Sequence, residues 1–344
     1  MKCRGQILDR LNELEKYLQF YEVDLFISQK HYIALSPSLQ MIFFRLSGLK
    51  AGMEFHQCTT RHIARFPNTP LIYKMADFLV ALSNTFKTYL KNSGIRSYYI
   101  PHPITIDGAE NFHGRNPKNC SNTILYVGRI AKATDKNTFA ILPILNEVVK
   151  VIPNVKLKIV GEIFHEEVFQ QMKKFIAENR LESNVEFCGY HKDVGKFYEK
   201  ADLILNTSPS EGFPMFVVES KFYELPMVLY ELPDVETLRD GKGYIAVPQG
   251  DFRAAARAIV KILTDTEFRC KMSAEARESL QKFLDYDIAG AWKKIFDDLE
   301  NNVPVPLHNL NAEKIQTFLL KEIWQTKSQV QFLTAQIQKL QAKN

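Results

Sequence analysis

The 344-residue sequence predicts an α/β protein of two doubly wound halves, the first of them incomplete, with a helical tail at the C-terminus. Three observations predict it. From residue 121 onward, short β-rich apolar runs alternate with helical patterns, which marks parallel βα units. A polar segment, PHPITIDGAENFHGRNPKNC (101–120), reads as a linker between that region and an earlier one built from the same alphabet. Beyond a break at NNVPVP (301–306), apolar residues recur at heptad-like spacing. The length suits two domains, and 46% apolar content lets each bury a core. The divisions expected are 1–118, 119–300 and 301–344.

Taken in order, the first part opens with a helix over 6–20, followed by strands near 23–28, 49–55, 78–82 and 97–100. Four strands are few for a complete doubly wound domain. The second part supplies strands at TILYVG (123–128), VKLKIVG (155–161), VEFCG (185–189), DLILNT (202–207), PMVLY (226–230) and YIAV (244–247), with helices at 166–180 and 193–201. An amphipathic helix over 287–300 carries Trp292 and Phe296. In the tail, Ile315, Leu319, Ile323, Val330, Leu333, Ile337 and Leu340 form one stripe. That stripe fits self-association through residues 313–342, and equally docking on the protein's own surface.

The net charge of +5 is unevenly placed: residues 1–118 carry fifteen Lys/Arg against nine Asp/Glu, and the remainder is close to neutral. The basic residues are scattered and no nucleic-acid motif organises them, so nucleic acid is not an expected partner. A basic face resting on an anionic membrane, or meeting an anionic acceptor, fits these charges, as does an ordinary solvated surface. No apolar run is long enough to span a bilayer and MKCRGQILDR lacks a secretory core, so a cytoplasmic chain, peripheral to the membrane at most, is expected. The five cysteines are far apart, without a C-x-x-C pair, and indicate neither a disulfide framework nor a metal site.

The most informative stretch is SPSEGFPMFVVES (208–220), which follows a strand and runs into a helix. Glu211 and Gly212 lie in the turn with Phe213, Pro214 suits the first helical turn because its absent N–H has no intrahelical partner there, and Glu219 stands about two turns on. The amides of Met215 and Phe216 then point out of the helix end, backed by the macrodipole, as a phosphate site. Two carboxylates beside a diphosphate must be aimed elsewhere, and hydroxyls are their natural partners. A nucleotide-sugar supplies both kinds of group. Gly128, Gly161 and Gly189 end strands where the chain either approaches a ligand or makes a tight turn.

DLILNTSPSEGFPMFVVE resembles the E-x7-E segment of glycosyltransferase family 4, retaining enzymes of the GT-B fold with two Rossmann-like domains. LYVGRI (125–130) with Lys136 resembles the family's Gly-Arg…Lys element on the donor diphosphate; KIVGE (158–162) and VEFCGY (185–190) resemble the next strand ends, placing Tyr190 near the nucleobase. ADFLVALS (76–83) and YIPHPI (99–104) resemble late elements of the family's N-terminal domain. The guanidinium of Arg129 is independently suited to two phosphate oxygens, whereas Lys136 rests on the resemblance. His56 occupies a place where relatives carry a histidine close to the transferred sugar; a structural histidine explains it equally. The resemblance implies transfer of a hexosyl group from a nucleoside-diphosphate sugar to a glycan or lipid-linked acceptor with retention, as in polysaccharide biosynthesis, without metal or other cofactor. Glu211 would orient the sugar and Glu219 would bind the ribose. The family's opening βα units are missing from the pattern, so a silent nucleotide-sugar-binding subunit and a GT-B epimerase stay open as alternatives.

Overall fold

Strands buried on both faces need near-continuous apolar runs, and the chain supplies them at Phe78–Ala81, Thr123–Val127, Leu203–Asn206 and Met227–Tyr230, whose residues are almost all buried. The computed structural model describes residues 25–29, 50–55, 76–106, 112–232 and 234–301. The expected helix over 6–20, His56 and the tail stripe over 313–342 lie outside the described residues.

Among the described residues, four parallel strands form the first sheet in sequential order: β1 (Leu25–Gln29), β2 (Lys50–Phe55), β3 (Phe78–Ala81) and β4 (Ser97–Tyr99). Gly52 pairs with Phe78 across β2 and β3, and the Phe78 ring occupies the space a side chain at Gly52 would need. Helix α1 (Asn84–Asn92) follows β3, its N-cap Ser83 accepting a hydrogen bond from the Phe86 amide.

The second sheet has six parallel strands: β5 (Thr123–Val127), β6 (Lys156–Val160), β7 (Val185–Gly189), β8 (Leu203–Asn206), β9 (Met227–Tyr230) and β10 (Tyr244–Val247). Their order, β10-β9-β8-β5-β6-β7, reverses direction between β5 and β8. The loops leaving those two strands therefore diverge to opposite faces and open a crevice between them, the place where doubly wound sheets bind ligands. The connecting helices are α2 (Ile141–Val149), α3 (Glu166–Glu178), α4 (Gly195–Lys200), α5 (Met215–Phe222), α6 (Phe252–Thr264) and α7 (Thr266–Leu284). Ile141, Leu145 and Val148 of α2 and Ile259 and Ile262 of α6 share one buried cluster with Ile124, Leu157 and Leu205 of the sheet.

The sequence reading anticipated all ten strands but not α1, α6 or α7. Asp251 and Asp265 cap the last two by accepting from the amides of Ala254 and Phe268. The final described helix, α8 (Ile288–Glu300), is capped by Asp287 and returns to the first sheet. Its Ile295 and Leu299 are buried with Phe78, Val80 and Ile100, and Trp292 meets the Phe78 ring edge-on at 6.5 Å. Tyr98 donates to Asp298 at 2.8 Å, and Lys50 to the Leu299 carbonyl at 3.0 Å. Tyr286, just before α8, donates to the Tyr99 carbonyl at 2.6 Å. The chain thus crosses between the two sheets twice. Among the described residues, no helix is long and apolar enough to cross a membrane.

Candidate functional site

The turn after β5 sets one wall of the crevice. Gly161 has φ +152°, and a β-carbon there would fall 2.0 Å from the Gly128 carbonyl oxygen. Its absent side chain is what lets the turns after β5 and β6 lie backbone to backbone. Hydrogen bonds from Gly128 N to Val160 O, Ile130 N to Glu162 O and Gly161 N to Gly189 O join the ends of β5, β6 and β7 into one plate. At Gly128 and Gly161 the close approach is thus between two turns of this chain. Tyr190, at the far end of that plate, is 72% exposed.

Arg129 projects from the β5 turn, its guanidinium 3.3 Å from Asp135 and 4.5 Å from the centroid of the Phe164 ring. A cation over an aromatic face and beside a carboxylate is held at a defined height while its remaining donors stay available. Thr138, fully buried, pins this loop: its hydroxyl donates to the Arg129 carbonyl at 2.9 Å and accepts from the Ala131 amide at 3.1 Å. The buried Tyr126 phenol lies 3.0 Å from the same hydroxyl, and burial pushes its pKa up. Lys136 sits in the loop before the 3-10 turn Thr138–Ala140, which leads into α2.

The other wall follows β8. The Thr207 hydroxyl donates to the Asn137 carbonyl at 2.9 Å, tying the loop after β8 to the loop carrying Lys136. Lys136 Nζ donates to both oxygens of Glu211, at 2.7 and 3.0 Å, with the two side chains 25% and 11% exposed. The lysine and the first glutamate of E-x7-E, 75 residues apart in sequence, are therefore direct partners. Gly212 is half-buried, while Phe213 turns inward. It meets His102 edge-on at 5.4 Å and packs with Leu82, Val218, Leu280 and Phe283 in an apolar cluster joining the two halves.

Pro214 stands at the N-cap of α5, one position earlier than the sequence suggests, and contributes no side-chain cap. The first-turn amides of Met215 and Phe216 have no intrahelical acceptor and carry the positive end of the dipole. One turn on, Glu219 accepts a 2.6 Å hydrogen bond from Tyr198 of α4, whose ring stacks on Tyr223 at 5.3 Å. Desolvation and the Glu219 charge both raise the Tyr198 pKa far above its usual range, so the phenol remains a donor and fixes the carboxylate. His56 would follow the last residue of β2, outside the described residues. Sequence reasoning passed over Asp135, Thr138, Phe164 and Tyr198 because their roles depend on partners brought close only by the fold.

Residues 109–279 match the family model described as glycosyl transferases group 1. A poly(glycerol-phosphate) alpha-glucosyltransferase of Bacillus subtilis is 27% identical over 193 residues, covering 56% of this chain and 28% of that protein. An uncharacterized glycosyltransferase of Haemophilus influenzae is 25% identical over 301 residues, covering 84% and 80%. Among solved structures, the pneumococcal O-GlcNAc transferase in complex with UDP and GlcNAc superposes with a TM-score of 0.68 at 16% identity, over 85% of this chain and 61% of that one. HepE of Anabaena in complex with UDP and glucose gives 0.68 at 17% identity, over 86% and 84%. These likenesses are of fold, two Rossmann-like α/β domains. The chain spans little more than a quarter of the Bacillus enzyme and about three fifths of the pneumococcal one.

Proposed function

The chain belongs to the group 1 glycosyl transferases, and on that premise we propose that it moves a hexosyl group from a nucleoside-diphosphate sugar to a hydroxyl of a glycan or lipid-linked acceptor, with retention at the anomeric carbon. One observation carries the reading: Arg129, Lys136, Glu211 and the uncapped start of α5 all border the crevice between β5 and β8. Two cations and a helix start are suited to a diphosphate, and they would stabilise the charge that develops as it leaves. In this reading Glu211 orients the sugar hydroxyls, Glu219 accepts from the ribose, Gly128 and Gly161 shape the floor, and Tyr190 faces the nucleobase. His56 belongs to the sugar end, against the acceptor-side domain (1–118), while 119–300 holds the donor.

The bond from the anomeric carbon to the diphosphate oxygen breaks as the acceptor oxygen approaches from the same face. The departing phosphate oxygen takes the acceptor proton. The basic first part supports contact with anionic lipid or an anionic acceptor. Relatives active on surface glycans, such as a capsular polysaccharide biosynthesis glycosyltransferase of Staphylococcus aureus, support a place in polysaccharide assembly.

Calorimetric titration with a panel of nucleotide-sugars tests the proposal. Arg129→Ala should weaken nucleoside-diphosphate binding roughly ten- to a hundred-fold, the loss of a charged hydrogen bond of about 1.5–3 kcal/mol, and should flatten its salt dependence. Glu219→Gln should keep the wild-type salt response but lose discrimination against a 2′,3′-dideoxy nucleotide. Failure of the wild-type chain to bind any nucleotide-sugar would refute the function.

A further inference from the structure

We propose that Glu236 is a positioning residue: reaching from the second domain, it caps helix α1 of the other and so sets the width and register of the cleft. Glu236 opens the 3-10 turn Glu236–Leu238 that follows β9, and only 8% of the residue is exposed. One carboxylate oxygen accepts the backbone amide of Asn84 at 2.8 Å, and the other accepts the Asn84 side-chain amide at 3.1 Å. These partners are 152 residues apart and lie in different domains. Asn84 is the first residue of α1, whose own cap Ser83 serves the Phe86 amide. Glu236 thus takes a first-turn donor that α1 cannot satisfy within itself, and places its charge at the positive end of that helix.

A buried carboxylate is costly unless compensated. Arg239 stands 3.6 Å from the same carboxylate, and its guanidinium also donates to the Thr85 hydroxyl on α1. Two residues of one domain therefore grip two consecutive residues of the other with directional bonds. The apolar cluster around Phe213, Leu82 and Phe283 also joins the halves, through contacts that are not directional. Directional bonds to a helix end do fix it, since a small rotation of either domain breaks both oxygens' contacts.

The arrangement has a second consequence at the rim. Both α1 and α5 begin just beyond the carboxyl ends of their sheets' strands. The start of α1 is occupied by Glu236, whereas α5 has no side-chain cap. An incoming diphosphate is therefore directed to α5, in keeping with the proposed function, on which the transfer readout below rests.

Two substitutions cut the clasp from opposite sides. Glu236→Ala removes the acceptor. Asn84→Pro removes both donors while leaving a residue suited to the first helical position, and Ser83 already has the extended backbone that a following proline requires. Small-angle X-ray scattering of the full chain should show a larger radius of gyration for both variants. Donor affinity should stay within about threefold of wild type and transfer kcat should fall about tenfold. Glu236→Gln, which can still pair with Asn84 once that amide turns over, should restore wild-type scattering and most of the kcat. If Glu236→Ala loses its native circular dichroism, Asn84→Pro decides. Wild-type scattering from the folded variants overturns the proposal. A wild-type chain that binds no nucleotide-sugar would refute the transferase reading, while the scattering would still decide the clasp.

Discussion

Lys136 and Glu211 are bonded through both carboxylate oxygens, so on the proposed function a diphosphate that recruits Lys136 competes with Glu211 for the same ammonium. Replacing Lys136 by Ala removes a cation, and it also strands a carboxylate that is only 11% exposed beside the incoming phosphates. Loss of the charged hydrogen bond to the ligand costs about 1.5–3 kcal/mol. The unpaired carboxylate adds a repulsion of comparable size: two unit charges about 5 Å apart at an effective dielectric constant near 20 interact by roughly 3 kcal/mol. Lys136→Ala should therefore weaken nucleoside-diphosphate binding by about three to four orders of magnitude. Adding Glu211→Gln removes the repulsion and should recover about a hundred-fold of that loss, although Glu211→Gln alone in wild type changes affinity far less. The same pair should show in stability. Breaking a half-buried ion pair for about 2 kcal/mol lowers the Tm of a domain this size by roughly 4–8 °C, and the double variant should regain part of it. Calorimetric titration of all four members of the cycle, with thermal melts, measures both couplings. Additive binding losses, with a coupling energy below about 0.5 kcal/mol, would refute the claim that Glu211 and the ligand share Lys136.

Lys221, wholly buried, donates to the Thr237 carbonyl at 2.6 Å, and burial pulls its pKa down to about 8 despite Asp240 at 3.5 Å. Between about pH 8 and the ordinary lysine value near 10.4, the unfolded chain holds a proton the native one lacks, so stability should rise with pH by up to about 1.4 kcal/mol per unit. Urea unfolding from pH 8 to 9.5 checks this, and Lys221→Met should flatten the rise. Above that window Tyr98, its pKa raised to about 12 by burial and Asp298, acts in the opposite sense, because unfolded tyrosines ionise first. Thr138→Val keeps the shape of the side chain but leaves the Ala131 amide without its acceptor and the Arg129 carbonyl without one donor. It should cost about 1–3 kcal/mol in urea unfolding and weaken nucleoside-diphosphate binding; an unchanged midpoint would contradict the pinning role.

What could be read from the sequence was local. A parallel strand announces itself as an apolar run with a glycine or polar turn after it, which is why TILYV, LILN and MVLY were legible along with the crevice they border. The start of α5 was legible for the same reason: proline, free amides and a dipole need no distant partner. Partner choice is not local. Nothing around Glu219 names Tyr198, and nothing around Glu211 names Lys136, because both pairings exist only once β5, β8 and α4 are adjacent. Phe213 shows the converse. Its place inside E-G-F-P points to the ligand, yet the fold uses its ring to pack Leu82 and Phe283. The stripe Ile288, Trp292, Ile295, Leu299 likewise announces a buried face without saying which sheet covers it.

That last helix has a consequence during synthesis. The six-stranded sheet and its helices are continuous from residue 123 to residue 284, so this half can close as soon as its own segment is free of the ribosome. The first sheet cannot. Ile295 and Leu299 must cover Phe78, Val80 and Ile100, and they emerge 195 and 199 residues after Ile100. At about 5–20 residues per second, that apolar surface waits on the order of 10–40 seconds for its cover. The order of folding is thus inverted, the later half maturing before the earlier one. A ribosome-bound chain ending before residue 288 should carry a finished second domain beside an earlier half still held by chaperones.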